Sequence, residues 1–140
     1  MTNLQCQEDV TLLLAAESGS RAWGFASPDS DYDCRFIFIR HLEHYLCLSP
    51  PRDVIELPSD GVFDINGWDL AKTLKLMLKG NVTALEWLQS PINYAGSGQF
   101  RNELLAFANA MQAATWLHVI ICTSVSGSGG AISAMVHRFR

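Results

Sequence analysis

Apolar and polar positions divide the chain into short stretches of differing period. VTLLLAAES is a brief apolar run ending in small residues, which fits a buried strand, although its periodicity also suits a helix. Gly19 stops that run, Ser20 is a natural N-cap, and SRAWGFA is expected to form a short helix closed by the turn formers of SPDSD. DYDCRFIFI alternates, with aromatic and β-branched residues that favour a pleated strand. HLEHYLCL suits a brief helix broken by SPPRD, and VIEL and VFDIN read as two strands joined by the PSDG turn. Past Gly67, WDLAKTLKLMLKG puts Leu70, Leu74 and Met77 on one helical face, leaves Lys72, Lys75 and Lys79 largely off it, and stops at Gly80. NVTALEWLQSP predicts a short helix ending before Pro91, and FRNELLAFANAMQAATWL a longer amphipathic one. The order βαβ, hairpin, then helices predicts an α+β domain: a small mixed sheet with helices mainly on one side, followed by C-terminal helices.

Composition narrows this to one unit. A chain of 140 residues, 49% hydrophobic and 17% charged, holds one globular domain with a modest core. That domain is assigned to residues 1–115, with 116–140 as a C-terminal tail, because TSVSGSGGAISAMVHRFR reads as a flexible Gly/Ser-rich end or a degenerate helical extension. A formal charge of −4 argues against a surface that grips nucleic acid all round, while leaving room for a local basic groove. The start, MTNLQCQEDV, has neither a basic nor an apolar leader region, and no apolar run is long enough to span a bilayer, so a cytoplasmic protein without a membrane partner is expected. Cys6, Cys34, Cys47 and Cys122 lack CxxC pairing and are expected to be reduced and mostly buried thiols.

Candidate chemistry concentrates in ESGSRAWGFASPDSDYDCRF. On a strand, Asp31 and Asp33 lie two apart and share a face, with Tyr32, Cys34, Phe36 and Phe38 on the other. Two adjacent carboxylates repel, so either one is protonated or a cation sits between them. Mg²⁺ is commonly held by one or two carboxylates together with substrate phosphates. Upstream, a turn of small residues feeding a helix start offers backbone N–H groups to an anion, with a hydroxyl from Ser20 and a charged donor from Arg21. A phosphate cradle beside a metal clamp suggests phosphoryl or nucleotidyl transfer. The bland alternatives are a solvated Asp/Ser turn and a plain helix cap.

The Gly19-Ser20 pair, a ten-residue gap and Asp31-Tyr-Asp33 together resemble the signature of the DNA-polymerase-β-like nucleotidyltransferases. The longer runs GSRAWGFASPDSDYDCRF and DINGWDLAKTLKLMLKGNVTALEWLQSPINY are similar to a narrower group, the RNA-ligase-associated nucleotidyltransferases, from about Leu12 to Phe107. The resemblance implies a polymerase-β-like fold and a third carboxylate on a later strand, which Asp64 in VFDIN matches; its competitor, Asp69, is better explained as a helix-capping acid. It implies two metal ions, Mg²⁺ or Mn²⁺, on Asp31, Asp33 and Asp64, and a nucleoside triphosphate held at Gly19, Ser20 and Arg21. Lys75 is a further candidate for the phosphates, against the plainer reading of a solvated helix face.

The activity so implied is transfer of an NMP from an NTP to a hydroxyl, with an RNA end or a partner protein as acceptor, in RNA repair. The rivals are a nucleotide-binding antitoxin-like subunit and an inactive fragment, because the chain turns to IICTSVSGSGGAISAMVHRFR where the family continues into further helices, as a C-terminal truncation would. His41, His44 and Cys47 recur at three-residue steps, but without a fourth ligand they read as helix surface rather than a zinc site. Trp68, Trp87 and Trp116 sit among leucines as core, which leaves Trp23 as the aromatic placed to touch a nucleotide.

Overall fold

The computed structural model describes the backbone of residues 9–59 and 61–125, and side chains as far as Met111. Five strands form one sheet: β1 (Val10–Glu17), β2 (Tyr32–Arg40), β3 (Val54–Glu56), β4 (Phe63–Asp69) and β5 (Asn93–Gly96). Among the described residues four helices accompany them: α1 (Leu42–Leu46), α2 (Leu70–Leu78), α3 (Thr83–Gln89) and α4 (Gly98–Val125). The strand order is β3-β4-β2-β1-β5, and every neighbouring pair is antiparallel except β2 and β4. That one parallel pair requires a crossover, which α1 and β3 supply. The α+β class and mixed sheet expected from the sequence are both present.

Alternation along β2 sends its residues to two cores. Cys34, Phe36 and Phe38 pack on one face with Val10, Ala15 and Ile55. Ile37, with Leu14 of β1, faces the other way onto Met77, Trp87, Leu88 and Leu104, so α2, α3 and α4 gather on a single side of the sheet. Trp68 and Trp87 are core, as expected, with ring centroids 4.2 Å apart. The glycine of the GWDL motif has a steric cause: a Cβ on Gly67 would come within 2.2 Å of the Phe36 ring, which crosses β4 at that register position.

Helix α2 begins where Asp69 caps it, its carboxylate accepting from the Ala71 N–H at 2.7 Å, and Thr73 Oγ1 donates to the Asp69 carbonyl at 3.0 Å. Gly80, at φ +79°, takes the left-handed position that ends it. The helix thus starts two residues later than the sequence suggested, because Trp68 and Asp69 complete β4.

Three expectations are corrected. SRAWGFA is not a helix; its backbone makes two hydrogen-bonded turns, Ala22 N–H to Gly19 O at 3.0 Å and Phe25 N–H to Ser20 O at 3.2 Å. Gly24, at φ +79°, takes the left-handed conformation that interrupts any helix there, and Ser20 therefore caps nothing. Without that helix β1 and β2 join as an antiparallel pair rather than a βαβ unit. Cys47 is exposed, whereas Cys34 is buried as expected. Strand β5, which the sequence did not announce, adds an edge to β1.

The expected domain boundary at 115 falls inside α4, whose backbone continues to Val125. The tail beyond 125, Cys6 and the side chains of Trp116 and Cys122 lie outside the described residues. Among the described residues no helix is long and apolar enough to cross a membrane.

Candidate active site

The parallel pairing of β2 with β4 sets Asp33 directly opposite Asp64. Both lie on the helix-bearing face of the sheet, at the end of the two strands where no apolar side chain replaces them. Between them stands Arg35: its Nη2 donates to Asp33 Oδ1 at 3.0 Å and to Asp64 Oδ2 at 2.6 Å, while Nη1 reaches the Asp64 carbonyl at 3.2 Å. One guanidinium therefore bridges two carboxylates. Asp33 and Arg35 are mostly buried, with 21% and 18% of the side chain exposed, and Asp64 is more open at 44%.

Charge is still in excess on the acidic side. Burial pushes the Asp33 carboxyl above its usual range; Arg35 pulls it back, and Asp31, Glu17 and Asp64 add further upward pressure. Asp31 lies just ahead of β2 and is exposed. A site with more carboxylates than cations, offering only oxygen donors, has the chemistry that hard divalent ions prefer. Among the described residues, however, no three acidic, His or Cys side chains already converge as a metal cage, and Arg35 spans the gap between Asp33 and Asp64.

Gly19 is fixed by the same carboxylate. A Cβ there would fall 1.8 Å from Asp33 Oδ2, so only glycine lets the turn lie against Asp33. The Ser18 N–H ties this turn to β2 by donating to the Asp33 carbonyl at 2.9 Å. Among the described residues the N–H groups of Gly19, Ser20 and Arg21 and the Ser20 hydroxyl make no hydrogen bond, so the turn presents open donors beside the carboxylates.

Arg21 has a structural task. Its Nε donates to the Asp31 carbonyl at 3.0 Å and its Nη2 to the Ser30 carbonyl at 2.5 Å, and its guanidinium lies 3.9 Å from the centre of the Tyr32 ring. The arginine thereby holds the Asp31 loop against the Gly19 turn. Trp23 is half-exposed at the turn's outer edge.

Two residues that sequence reasoning missed complete the support. Glu17, at the end of β1, is fully buried; its Oε1 accepts from the Asp33 N–H at 2.8 Å, and the Tyr94 hydroxyl of β5 donates to Oε2. Burial and this hydrogen bond push the Tyr94 phenol well above its usual range, and burial followed by the nearby Glu17 pushes the Cys34 thiol up to about 11. A lone acid closing an apolar run was the available signal for Glu17, since a charge there needs a partner. Arg35 carried a signal too: it shares a strand face with Asp33, two positions on.

The structure thus gathers Gly19, Ser20, Arg21, Asp31, Asp33 and Asp64 at one end of the sheet. Lys75 is not among them; it lines a cleft at the opposite end of β2 and β4, with Arg40 and Asp69. Asp69 is 4% exposed and committed to capping α2, as the sequence suggested. His41, His44 and Cys47 form no metal site; the Cys47 thiol donates to the His44 and Ser49 carbonyls.

No solved structure matches the chain. It is 54% identical over 85 residues to a Bacillus subtilis (strain 168) protein described as "Uncharacterized protein YcgL"; the match covers 61% of this chain and 33% of that protein's length. The family model for RlaP, the RNA repair pathway DNA polymerase beta family, matches residues 1–119. With paired aspartates on parallel strands and a glycine turn pressed against them, the chain belongs to this DNA-polymerase-β-like RNA repair family.

Proposed function

We propose that the protein is a metal-dependent nucleotidyltransferase that moves an NMP from an NTP to a hydroxyl acceptor, an RNA end, and releases pyrophosphate. The observation that carries this reading is the set of open N–H donors on the Gly19 turn directly beside the Asp33–Asp64 pair. The N–H groups of Gly19, Ser20 and Arg21, the Ser20 hydroxyl and the guanidinium donors that Arg21 does not spend on Ser30 and Asp31 would take the β and γ phosphates.

Asp31, Asp33 and Asp64 would hold two Mg²⁺ or Mn²⁺ ions, which stabilise the attacking and leaving oxygens of an in-line displacement. Asp64, the more open carboxylate, accepts the proton of the acceptor hydroxyl. Glu17 keeps Asp33 in place through its N–H, and Tyr94 keeps Glu17 in place. Arg35 offsets the repulsion between Asp33 and Asp64 until the substrate arrives, and must then release them.

That same clamp favours a second reading, a nucleotide-binding regulatory subunit in which Arg35 never lets go. Incubation with each labelled NTP, Mg²⁺ or Mn²⁺, and a panel of RNA ends, tRNA and proteins separates the two. Label on one acceptor, lost in Asp33→Asn, supports transfer; NTP binding with no label on any acceptor supports the regulatory subunit.

A further inference from the structure

Four of the chain's ten Lys and Arg residues line one cleft, in a protein whose formal charge is −4. Arg40, Arg52, Lys72 and Lys75 surround a cavity of about 310 Å³ at the C-terminal end of β2 and β4. The two acids in its wall are already satisfied. Asp53 takes Lys72 Nζ at 3.1 Å, and Asp69 takes the Ala71 N–H at 2.7 Å and the Tyr45 hydroxyl at 2.5 Å. Among the described residues neither the Arg52 nor the Lys75 side chain has an ion-pair or hydrogen-bond partner, and His44 Nδ1 is buried in the wall with none.

Beside this cationic cleft lies an apolar one of about 290 Å³, lined by Leu42, Leu70 and Leu74. Arg40 and Tyr45 belong to both, so the part-exposed Tyr45 ring stands where an anionic compartment meets an apolar one. An anion alone would use only half of this surface. A nucleotide uses both, with its phosphate among the cations and its base against the tyrosine ring.

Asp33 and Arg40 stand about 23 Å apart along β2, given the rise of a strand. One mononucleotide cannot fill both places, but roughly seven stacked nucleotides at ~3.4 Å each would span them. We propose that this cleft is a strand-anchoring site, which holds the backbone phosphate and base of a single-stranded RNA several nucleotides away from the end presented to Asp33 and Asp64. The direction in which the RNA points rests on the nucleotidyltransferase reading; the cleft's affinity for the strand does not.

The test is fluorescence anisotropy of the full chain with labelled single-stranded RNA of three and twelve nucleotides, in EDTA, across a salt series. The twelve-mer should bind at least tenfold more weakly to Arg52→Glu/Lys75→Glu, and two lost phosphate contacts should flatten the salt slope by about 1.4. Both side chains are exposed and unpaired, so an unchanged melting temperature verifies folding. The three-mer, too short to reach from one end to the other, should bind more weakly than the twelve-mer and gain nothing from the carboxylate end. Equal twelve-mer affinity and slope in the variant would overturn the proposal. So would full competition by AMP at the affinity of the strand, which would make the cleft a site for a small nucleotide. If no transfer activity is found but twelve-mer binding depends on Arg52 and Lys75, the anchoring site stands and only the nucleotidyltransferase reading falls.

Discussion

The two ends of the parallel pair β2 and β4 are built from the same materials and resolve them oppositely. Each end has an arginine on β2 and an aspartate on β4: Arg35 with Asp64 at one, Arg40 with Asp69 at the other. At the far end the aspartate is absorbed into structure, capping α2 and accepting from Tyr45, while the Arg52 and Lys75 side chains have no partner among the described residues. At the near end the backbone takes nothing from Asp33 Oδ1 or Asp64 Oδ2, so carboxylate is in excess and one arginine must serve both. An aspartate with a backbone donor to satisfy stabilises the fold; one left facing its own kind is held at some cost and is free for chemistry.

Substitution at the Gly19–Asp33 contact of the near end should give the largest effect, and on activity rather than stability. Asp33→Asn is expected to lower transfer at least a thousandfold, while its melting temperature without metal is unchanged or higher, because one of several like charges is removed. Gly19→Ala should cause a comparable loss, since its Cβ would displace the Asp33 carboxylate. A large drop in melting temperature for Asp33→Asn would erase the contrast between the two ends.

Asp69→Ala should do the reverse. Losing the cap costs about 1 kcal/mol, and leaving the Tyr45 hydroxyl without its acceptor adds about 1 kcal/mol or more. Transfer to a short acceptor should survive once the protein is kept folded, as urea denaturation paired with activity assays would check.

Arg35→Met removes the shared partner of two carboxylates and should cost about 1–2 kcal/mol in EDTA, part of the worth of a charged hydrogen-bonded pair that is not fully buried. Added Mg²⁺ should restore more stability to this variant than to the parent, if the metal takes the place of the guanidinium. Thermal melts with and without Mg²⁺ measure this, and equal shifts would remove Arg35 from the metal's path.

The pH dependence sharpens the same point by a smaller amount. The folded Asp33 pKa is raised, so its contribution to stability is fully present below the unfolded value of about 3.9 and is lost as pH rises through the folded value. The difference between parent and Asp33→Asn should therefore shift in favour of the variant over that window and be flat above it.

The smallest stability effect is expected at Ser20, whose hydroxyl caps no helix. Ser20→Ala should leave the melting temperature unchanged and yet weaken NTP several-fold more than NMP in saturating Mg²⁺. An unchanged ratio of the two affinities would return the turn to a purely structural role.

The sequence by itself determined the strands with clear alternation, the helix over LAKTLKLML with its glycine stop, and the positions of Gly19, Asp31, Asp33 and Asp64, because period and spacing are local properties of a chain. It could not show Asn93–Gly96 as a strand, since four residues of weak strand propensity form one only when an edge such as β1 is offered. It overstated a helix after Ser20, where Gly24 takes a left-handed conformation and the Arg21 side chain decides the path instead. Tertiary structure alone decided which charges meet. Arg35 was one residue among ten cations until parallel pairing set Asp64 opposite Asp33, and Glu17 was an isolated acid until β5 brought Tyr94 to it. Lys75 shows the converse: a lysine of the right type near the motif in sequence, sent to the opposite end of the sheet because β4 runs its full length before α2 begins.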